Sequence, residues 1–508
     1  MLTDLTFLDR GKRWPPLTEE ARLKNYEENR LLFEGEHAKV YKEQLKRIER
    51  VIGNFDQVVS IATILNYQRL MTLKIADLMF GEPPAITIAD TLKRGAKQDA
   101  RQQVITKILL DTELLNAAYM AAIDVSRYGD ALILAYKNKD VPAIEVTPPA
   151  LWFPVVDPSN IKRTLYHVFG YQYLVNEATK SYALKVQIHK IDDPGSCEEH
   201  TYALTGSMGS FNIGAEIPTE TPTVETGLSV CPVFRVSNVL TSDRVFGLDD
   251  YDSIDSIISE LIVRVSQISK VLDVHANPSM SGPETALEQD PITKAWHLRV
   301  GDYYPRNSKE DPAPEYIVWD ASLEANFKQI EFLVNQLYSI SEMGSAIFGD
   351  MSSKSGQVSS GSALRRLMVS PLAKAKRVVN RFDPVLKRLV SVCAGMLGTD
   401  IKPEELSITW NDGLPDDEAE SANIMSIRTG GKATISQYSA IKRLDNLSEE
   451  DTDSELAQIQ EETAAATPIS LQTIDQNVDD PANTASDAGK NANNTGKNAN
   501  DTGQAGDK

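Results

Sequence analysis

Cysteines, histidines and aromatic side chains are few in this chain, and an excess of positive charge is missing altogether. The three cysteines stand far apart, at 197, 231 and 393, with no CxxC pair. An odd, scattered set excludes a disulfide framework or a cysteine-rich zinc site and fits a reducing interior. The six histidines, His37, His167, His189, His200, His275 and His297, form neither HExxH nor HxxxH. No apolar run reaches the roughly 18 residues that a membrane span needs. The N-terminal MLTDLTFLDRGKRWPP has no apolar stretch, so no secretory signal is expected. Basic residues number 52 against 72 acidic ones, a formal net charge of −20. Simple nucleic-acid binders carry the opposite sign, so a DNA partner would be guided rather than gripped.

The 508 residues correspond to about three domains at about 150 residues each. Helical periodicity dominates 15–125, with expected helices over 36–52, 58–78 and about 97–127. Gly81, at positive φ, and Pro83-Pro84 are expected to stop the second of these. From Asp130 the period shortens: 131–136, 144–147, 165–169, 183–189 and 233–236 read as strands between turn residues. The weakly patterned 206–227 reads as a loop or short hairpin.

From Asp250 the helical period returns. Ile254, Ile257, Ile258, Leu261, Val265, Ile268 and Leu272 make one apolar stripe, with Glu260 and Arg264 as an i,i+4 pair. A mixed, Pro-rich segment over 277–321 follows, with strand-like pieces at 296–300 and 316–319. A second amphipathic helix carries Leu323, Phe327, Ile330, Leu333, Val334, Leu337 and Ile340. The run GDMSSKSGQVSSG over 349–361 is polar and small. A long helix is expected over 362–396, kinked at Pro371 and Pro384. A strand over 406–410 and short helices over 416–428 and 435–444 complete the patterned region. Residues 445–508 hold 3 basic and 14 acidic side chains. Residues 449–466 extend the helical region. Beyond them the chain is too poor in apolar residues to order itself.

No catalytic constellation emerges. There is no GxSxG elbow. His275-Ala276-Asn277 is too short a match to carry weight. Thr429-Gly430-Gly431-Lys432 fails the phosphate-loop pattern, because Ser426 stands at the upstream glycine position and Ala433 follows the lysine. Asp249-Asp250 and Asp416-Asp417-Glu418 precede helices, where capping and dipole compensation explain them. No enzyme activity, cofactor or metal is expected.

The order of parts is more telling than any one motif. Asn66-Tyr67 leads to Phe80-Gly81-Glu82-Pro83-Pro84. Then come Tyr128-Gly129-Asp130-Ala131, Val358-Ser359-Ser360-Gly361-Ser362-Ala363-Leu364-Arg365-Arg366 and Ile408-Thr409-Trp410-Asn411-Asp412-Gly413-Leu414-Pro415. Over about residues 20–465 the chain resembles the portal, or head-to-tail connector, proteins of long-tailed double-stranded-DNA bacteriophages. The resemblance implies an α+β, predominantly helical subunit of a ring, with about twelve copies around a DNA channel. It implies a wing over 1–250, completed by about 390–415, and stem helices over 251–276 and 322–346. A clip over 277–321 sits between them. A tunnel loop over 347–361, a kinked helix and return to the wing over 362–415, a crown over 416–465 and a disordered polar tail over 466–508 follow. The implied partners are other copies of the chain, passing duplex DNA, the terminase large subunit, the major capsid and scaffold proteins and the head-completion (adaptor) proteins, with no membrane. The implied setting is the capsid vertex of a virion, after assembly in the host cytoplasm.

Twelve helices about 10 Å wide close a ring roughly 38 Å across between axes, leaving a bore somewhat wider than duplex DNA. Lys354, Ser355, Gly356, Gln357, Ser359 and Ser360 are the candidate channel-lining positions. Between 361 and 392 stand eight cations and one acid, Asp383. Of these, Arg365, Arg366, Lys374 and Lys376 are candidates for phosphate contact or for intersubunit pairing. Trp296, Tyr303, Tyr304 and Trp319 make the clip a candidate docking surface, since interfaces favour aromatics. The alternative is an oligomeric capsid or scaffold component without a channel.

Overall fold

The computed structural model describes residues 1–52, 62–89, 100–139, 141–207, 209–219, 221–276, 323–349, 361–411, 418–444 and 449–466, with isolated positions and short strands between 280 and 316. The chain divides into two compact units, Met1–Asp417 and Glu418–Lys508.

The first unit is layered, and alternation along its central strand shows why. Asp130–Asn138 pairs with Val233–Ser237 on one side and Val141–Thr147 on the other. Side chains of a strand point to opposite faces in turn. Ala131, Ile133 and Ala135 join Phe234 and Val236 in a large core shared with helices, while Leu132 and Val233 meet Trp152 and Phe169 of a second sheet. The helical side of that core includes Tyr67–Phe80, Ala100–Asp111, Leu114–Tyr128 and Val369–Met396. Ala117, Ala118, Ala121 and Ala122 are all buried on the third of these.

The second sheet has seven strands. Its main path runs from Arg13–Trp14 through Ser210–Ile217, Ser196–Ser207, Ser181–Lys190 and Asn160–Asn176 to Trp152–Asp157. Thr223–Glu225 pairs separately with Ser196–Ser207. Its outer face is covered by the N-terminal segment through Leu2, Phe7, Leu8 and Trp14. The Trp14 ring lies so close to Gly170 that a Cβ there would collide with it. Arg22 joins the sheet to the Glu20–Glu34 helix: it pairs with Glu19 at 2.7 Å and donates to the carbonyls of Pro149 and Trp152.

Several sequence expectations change. The helix expected over 97–127 is two helices, broken where Glu113 adopts a left-handed φ of 48° and the Thr112 hydroxyl bonds back to the Ile108 carbonyl. The helix expected from 58 begins, within the described residues, at Tyr67, with the Asn66 side chain capping the N–H of Arg69 at 2.9 Å. Gly81 has a right-handed φ of −61°, so no left-handed glycine ends that helix and Pro83-Pro84 supplies the stop. Helix 36–52 is divided at Tyr41. Of the two readings of 206–227, the hairpin is the one found: Ser196–Ser207 turns back into Ser210–Ile217, and Thr223–Glu225 adds a further strand to the large sheet. The long helix breaks at Met368, between Gly361–Leu367 and Val369–Met396, and runs on through Pro384. Pro371 stands in the first turn after that break, where proline is tolerated. A strand that periodicity did not suggest, Ala85–Ile88, pairs with Leu406–Thr409.

The second unit consists, among the described residues, of helices Glu418–Thr429, Gln437–Leu444 and Glu449–Ala466, with Tyr438, Ala440 and Thr452 buried.

Candidate functional site

Two helices project the most distinctive surface of the first unit. Asp255–Ala276 and Glu324–Ile340 pack against one another. The first starts inside the core: Ile254, Ile258, Leu261, Ile262 and Val263 are fully buried, whereas Leu272 is 52% exposed. Its flank is tied down by Arg47, which reaches Glu260 at 2.5 Å, and by the Ser266 hydroxyl, which accepts the N–H of Thr63. Glu260 also pairs with Arg264 at 2.8 Å, as the i,i+4 spacing predicts. The second helix is far less covered. Leu337 is buried, but Phe327, Phe332 and Ile340 are 54%, 60% and 45% exposed. Part of its apolar stripe is therefore exposed among the described residues of the first unit.

A polar junction lies where the first helix leaves the body. Asp249 caps the turn ahead of the helix rather than the helix itself, which starts at Asp255: its Oδ1 accepts the N–H groups of Tyr251 and Asp252 at 2.9 Å. Asp250 caps neither. It forms an ion pair with Lys374 at 3.1 Å and accepts from Ser126 and Asn238. Ser126 is hydrogen bonded to Thr72, and Thr72 to the Tyr251 hydroxyl. One turn on, Asp255 accepts from Tyr41 and Gln68, and Gln68 is bonded to His37. Burial pushes the Asp255 carboxyl up to about 6.

Lys374 therefore needs correcting as an outward-facing cation. It is 5% exposed, and its charge is engaged by Asp250 and by the carbonyl of Ser341 inside its own chain. The sequence held the signal: Lys374 shares a helical face with Pro371, Ala375 and Val378, all buried. Asp250 and Ser341, its partners, carried no such signal. Arg365, Arg366 and Lys376 do have exposed side chains. Arg377 pairs with Glu342 at 2.7 Å and Lys387 with Asp383 at 2.8 Å.

The candidates Lys354, Ser355, Gly356, Gln357, Ser359 and Ser360, and Tyr303, Tyr304 and Trp319, lie outside the described residues. The backbone of Trp296 lies in the strand Trp296–Leu298, which pairs with Leu287–Gln289, and Glu315–Tyr316 pairs with Met280–Ser281.

The buried histidines and thiols are framework groups. Burial lowers His167 to about 3 and His189 to about 4, and lifts the Cys197 and Cys393 thiols to about 12. Neither thiol is a thiolate nucleophile at neutral pH. Among the described residues no three His, Cys, Asp or Glu side chains are grouped to hold a metal ion, and no helix is long and apolar enough to cross a membrane.

No curated protein matches the chain. Among solved structures, the neck of a native GTA particle computed with C12 symmetry is similar at 12% identity, covering 74% of this chain and 89% of that one, with a TM-score of 0.38. The neck of an empty GTA particle computed with C6 symmetry is similar at 12% identity, covering 75% and 90%, with a TM-score of 0.43. The family described as phage portal protein, SPP1 Gp6-like, matches over residues 18–468. That match spans both units and nearly every described element, and by it the chain belongs to the phage portal protein family.

Proposed function

We propose that this portal protein forms a closed ring of about twelve copies whose bore carries duplex DNA into a capsid and later out of it. The observation that carries the reading is the family match over residues 18–468. The paired helices Asp255–Ala276 and Glu324–Ile340 support it as channel wall: one is rooted in the core, and the other leaves Phe327 and Phe332 more than half exposed. A head-to-tail contact that closes on itself makes a ring.

In this reading residues 1–250 and about 390–415 form the wing, 251–276 and 322–346 the stem, and 277–321 the clip that docks the terminase large subunit and afterwards the head-completion proteins. Residues 347–361 line the narrowest passage, with Lys354 as their cation, and 416–465 form the crown. The exposed cations Arg365, Arg366 and Lys376 contact phosphate or acidic groups of a neighbouring copy. The ring does no chemistry of its own, and the motor supplies the work. Net acidity suits this task, because many cationic phosphate contacts bind DNA tightly and would stall sliding.

Imaging of the purified full chain, together with its oligomer mass, tests the reading. Open-bored rings of about twelve subunits are expected. A strictly monomeric protein at every concentration, or particles that fill with DNA without it, would overturn it.

A further inference from the structure

Lys374 stands on the face of the Val369–Met396 helix that meets the turn closing the Glu324–Ile340 helix. A buried ammonium is tolerated only when paired and hydrogen bonded. Here Nζ lies 3.1 Å from Asp250 Oδ1 and donates to the Ser341 carbonyl at 3.0 Å. Ser341 caps the C-terminus of Glu324–Ile340, where carbonyls lack intrahelical donors and the helix dipole presents negative charge. Asp250 lies five residues before the start of Asp255–Ala276. One cation thus touches the root of both projecting helices.

Two further side chains act on the same turn. The Ser370 hydroxyl donates to the Glu342 carbonyl at 3.0 Å, and Arg377 holds the Glu342 carboxylate at 2.7 Å. Positions 370, 374 and 377 follow the i, i+4, i+7 spacing of a single helix face. Glu342 itself has a φ of 61°, a left-handed conformation that is unfavourable for a residue with a Cβ. Such a conformation persists where its surroundings over-determine it.

We propose that Lys374 is the positioning residue of the channel wall: with Ser370 and Arg377 it grips the turn at 341–342, and through Asp250 it fixes the root of the other wall helix to the same point. This deepens the channel reading by naming what sets the two helices against the body of the subunit. Its test does not require a ring, so either idea can fail alone.

Hydrogen exchange on the full chain makes the test. In Lys374→Gln, exchange over 337–344 and 250–258 should rise together at least tenfold, while the strands over 160–190 keep their protection. Unchanged protection, a rise in one segment alone, or an equal rise in the strands overturns the proposal. The double variant Asp250→Asn/Lys374→Met covers the case in which the single variant does not fold. It removes both charges; the one amide oxygen introduced at 250 accepts from Asn238, while the amide NH2 donates to the Ser126 hydroxyl, which can turn its own proton to Thr72. Protection over 250–258 should return, and exchange over 337–344 should stay raised, because the Ser341 carbonyl still lacks its donor. Return of protection in both segments would show that the ammonium does not hold the turn.

Discussion

Gly129 and Gly247 meet backbone to backbone, each so close that a Cβ on it would overlap the carbonyl oxygen of the other. The crossing is locked on one side by Asp130, whose carboxylate accepts from Gly247 N at 2.8 Å, from Ser237 and from Arg235. Gly129 also has a φ of +81°. Either Gly129→Ala or Gly247→Ala should therefore destabilise the fold by about 2–4 kcal/mol through overpacking and backbone strain. The double variant should cost less than the sum, because the first Cβ already separates the two segments. Denaturant melts of the four proteins measure this. Single effects below about 0.5 kcal/mol, the size of an ordinary surface substitution, would refute it.

Phe80, Phe382 and Trp410 come from three distant parts of the chain and form one aromatic chain. The ring centroids are 5.3 Å apart for Phe80 and Phe382, and 5.5 Å for Phe80 and Trp410. Trp410 Nε1 donates to Asp383 at 3.1 Å, so the indole is satisfied at its polar end as well. Phe382 is fully buried. Phe382→Ala should cost about 3–5 kcal/mol, and Phe382→Leu much less, since it leaves a smaller cavity. Thermal melts would report it, and equal losses for the two variants would point to a cause other than packing.

These contacts show which parts of the molecule were legible in the sequence. The Phe80–Pro84 and Ile408–Pro415 motifs were visible as segments, but their adjacency was not. The strand Ala85–Ile88 acquires its partner Leu406–Thr409 only after more than 300 residues, and local periodicity carries no information about so distant a pairing. The two projecting helices were legible because one face of each repeats every three to four residues. The break at Glu113 was not, because it depends on one residue in a left-handed conformation rather than on a proline or glycine. Lys374 misled for a related reason: charge count assigned it to a basic surface, whereas its helical phase puts it with the buried Pro371, Ala375 and Val378. Within 206–227 a short hairpin was one of two readings, and polar, small residues, which suit a sheet margin facing water on one side, kept it from being told from a loop.

His167 and Trp152 give acid a specific point of attack. The Trp152 indole donates to His167 Nδ1 at 3.1 Å, so the imidazole is neutral with its proton on Nε2. Burial, then the neighbouring His189 and Arg235, hold His167 down at about 3. A depressed histidine contributes stability above its unfolded value of about 6.5, and that contribution is lost as pH falls toward the folded value. His167→Gln keeps an acceptor for Trp152 and cannot titrate. Relative to that variant, the wild-type protein should lose about 2 kcal/mol between pH 6.5 and 4.5. Parallel stability curves for the two proteins would contradict the assignment.

Asp255 carries the opposite sign. Burial lifts it to about 6, against the hydrogen bonds from Gln68 and Tyr41 that favour its charged form. A raised carboxyl favours folding most when it is protonated in both states. That advantage disappears as pH climbs from its unfolded value near 4 through about 6. Asp255→Asn retains an oxygen for Tyr41 and Gln68, both of which donate to Oδ1, and it removes the buried charge. The variant should match the wild-type protein near pH 4 and exceed it by about 1–2 kcal/mol at pH 7.5, after discounting for partial solvent access. Denaturant melts of both proteins across that range read the difference directly. A variant less stable than wild type at pH 7.5 would mean that the Asp255 charge is stabilised by a group facing this junction, and the cost assigned here to its burial would be wrong.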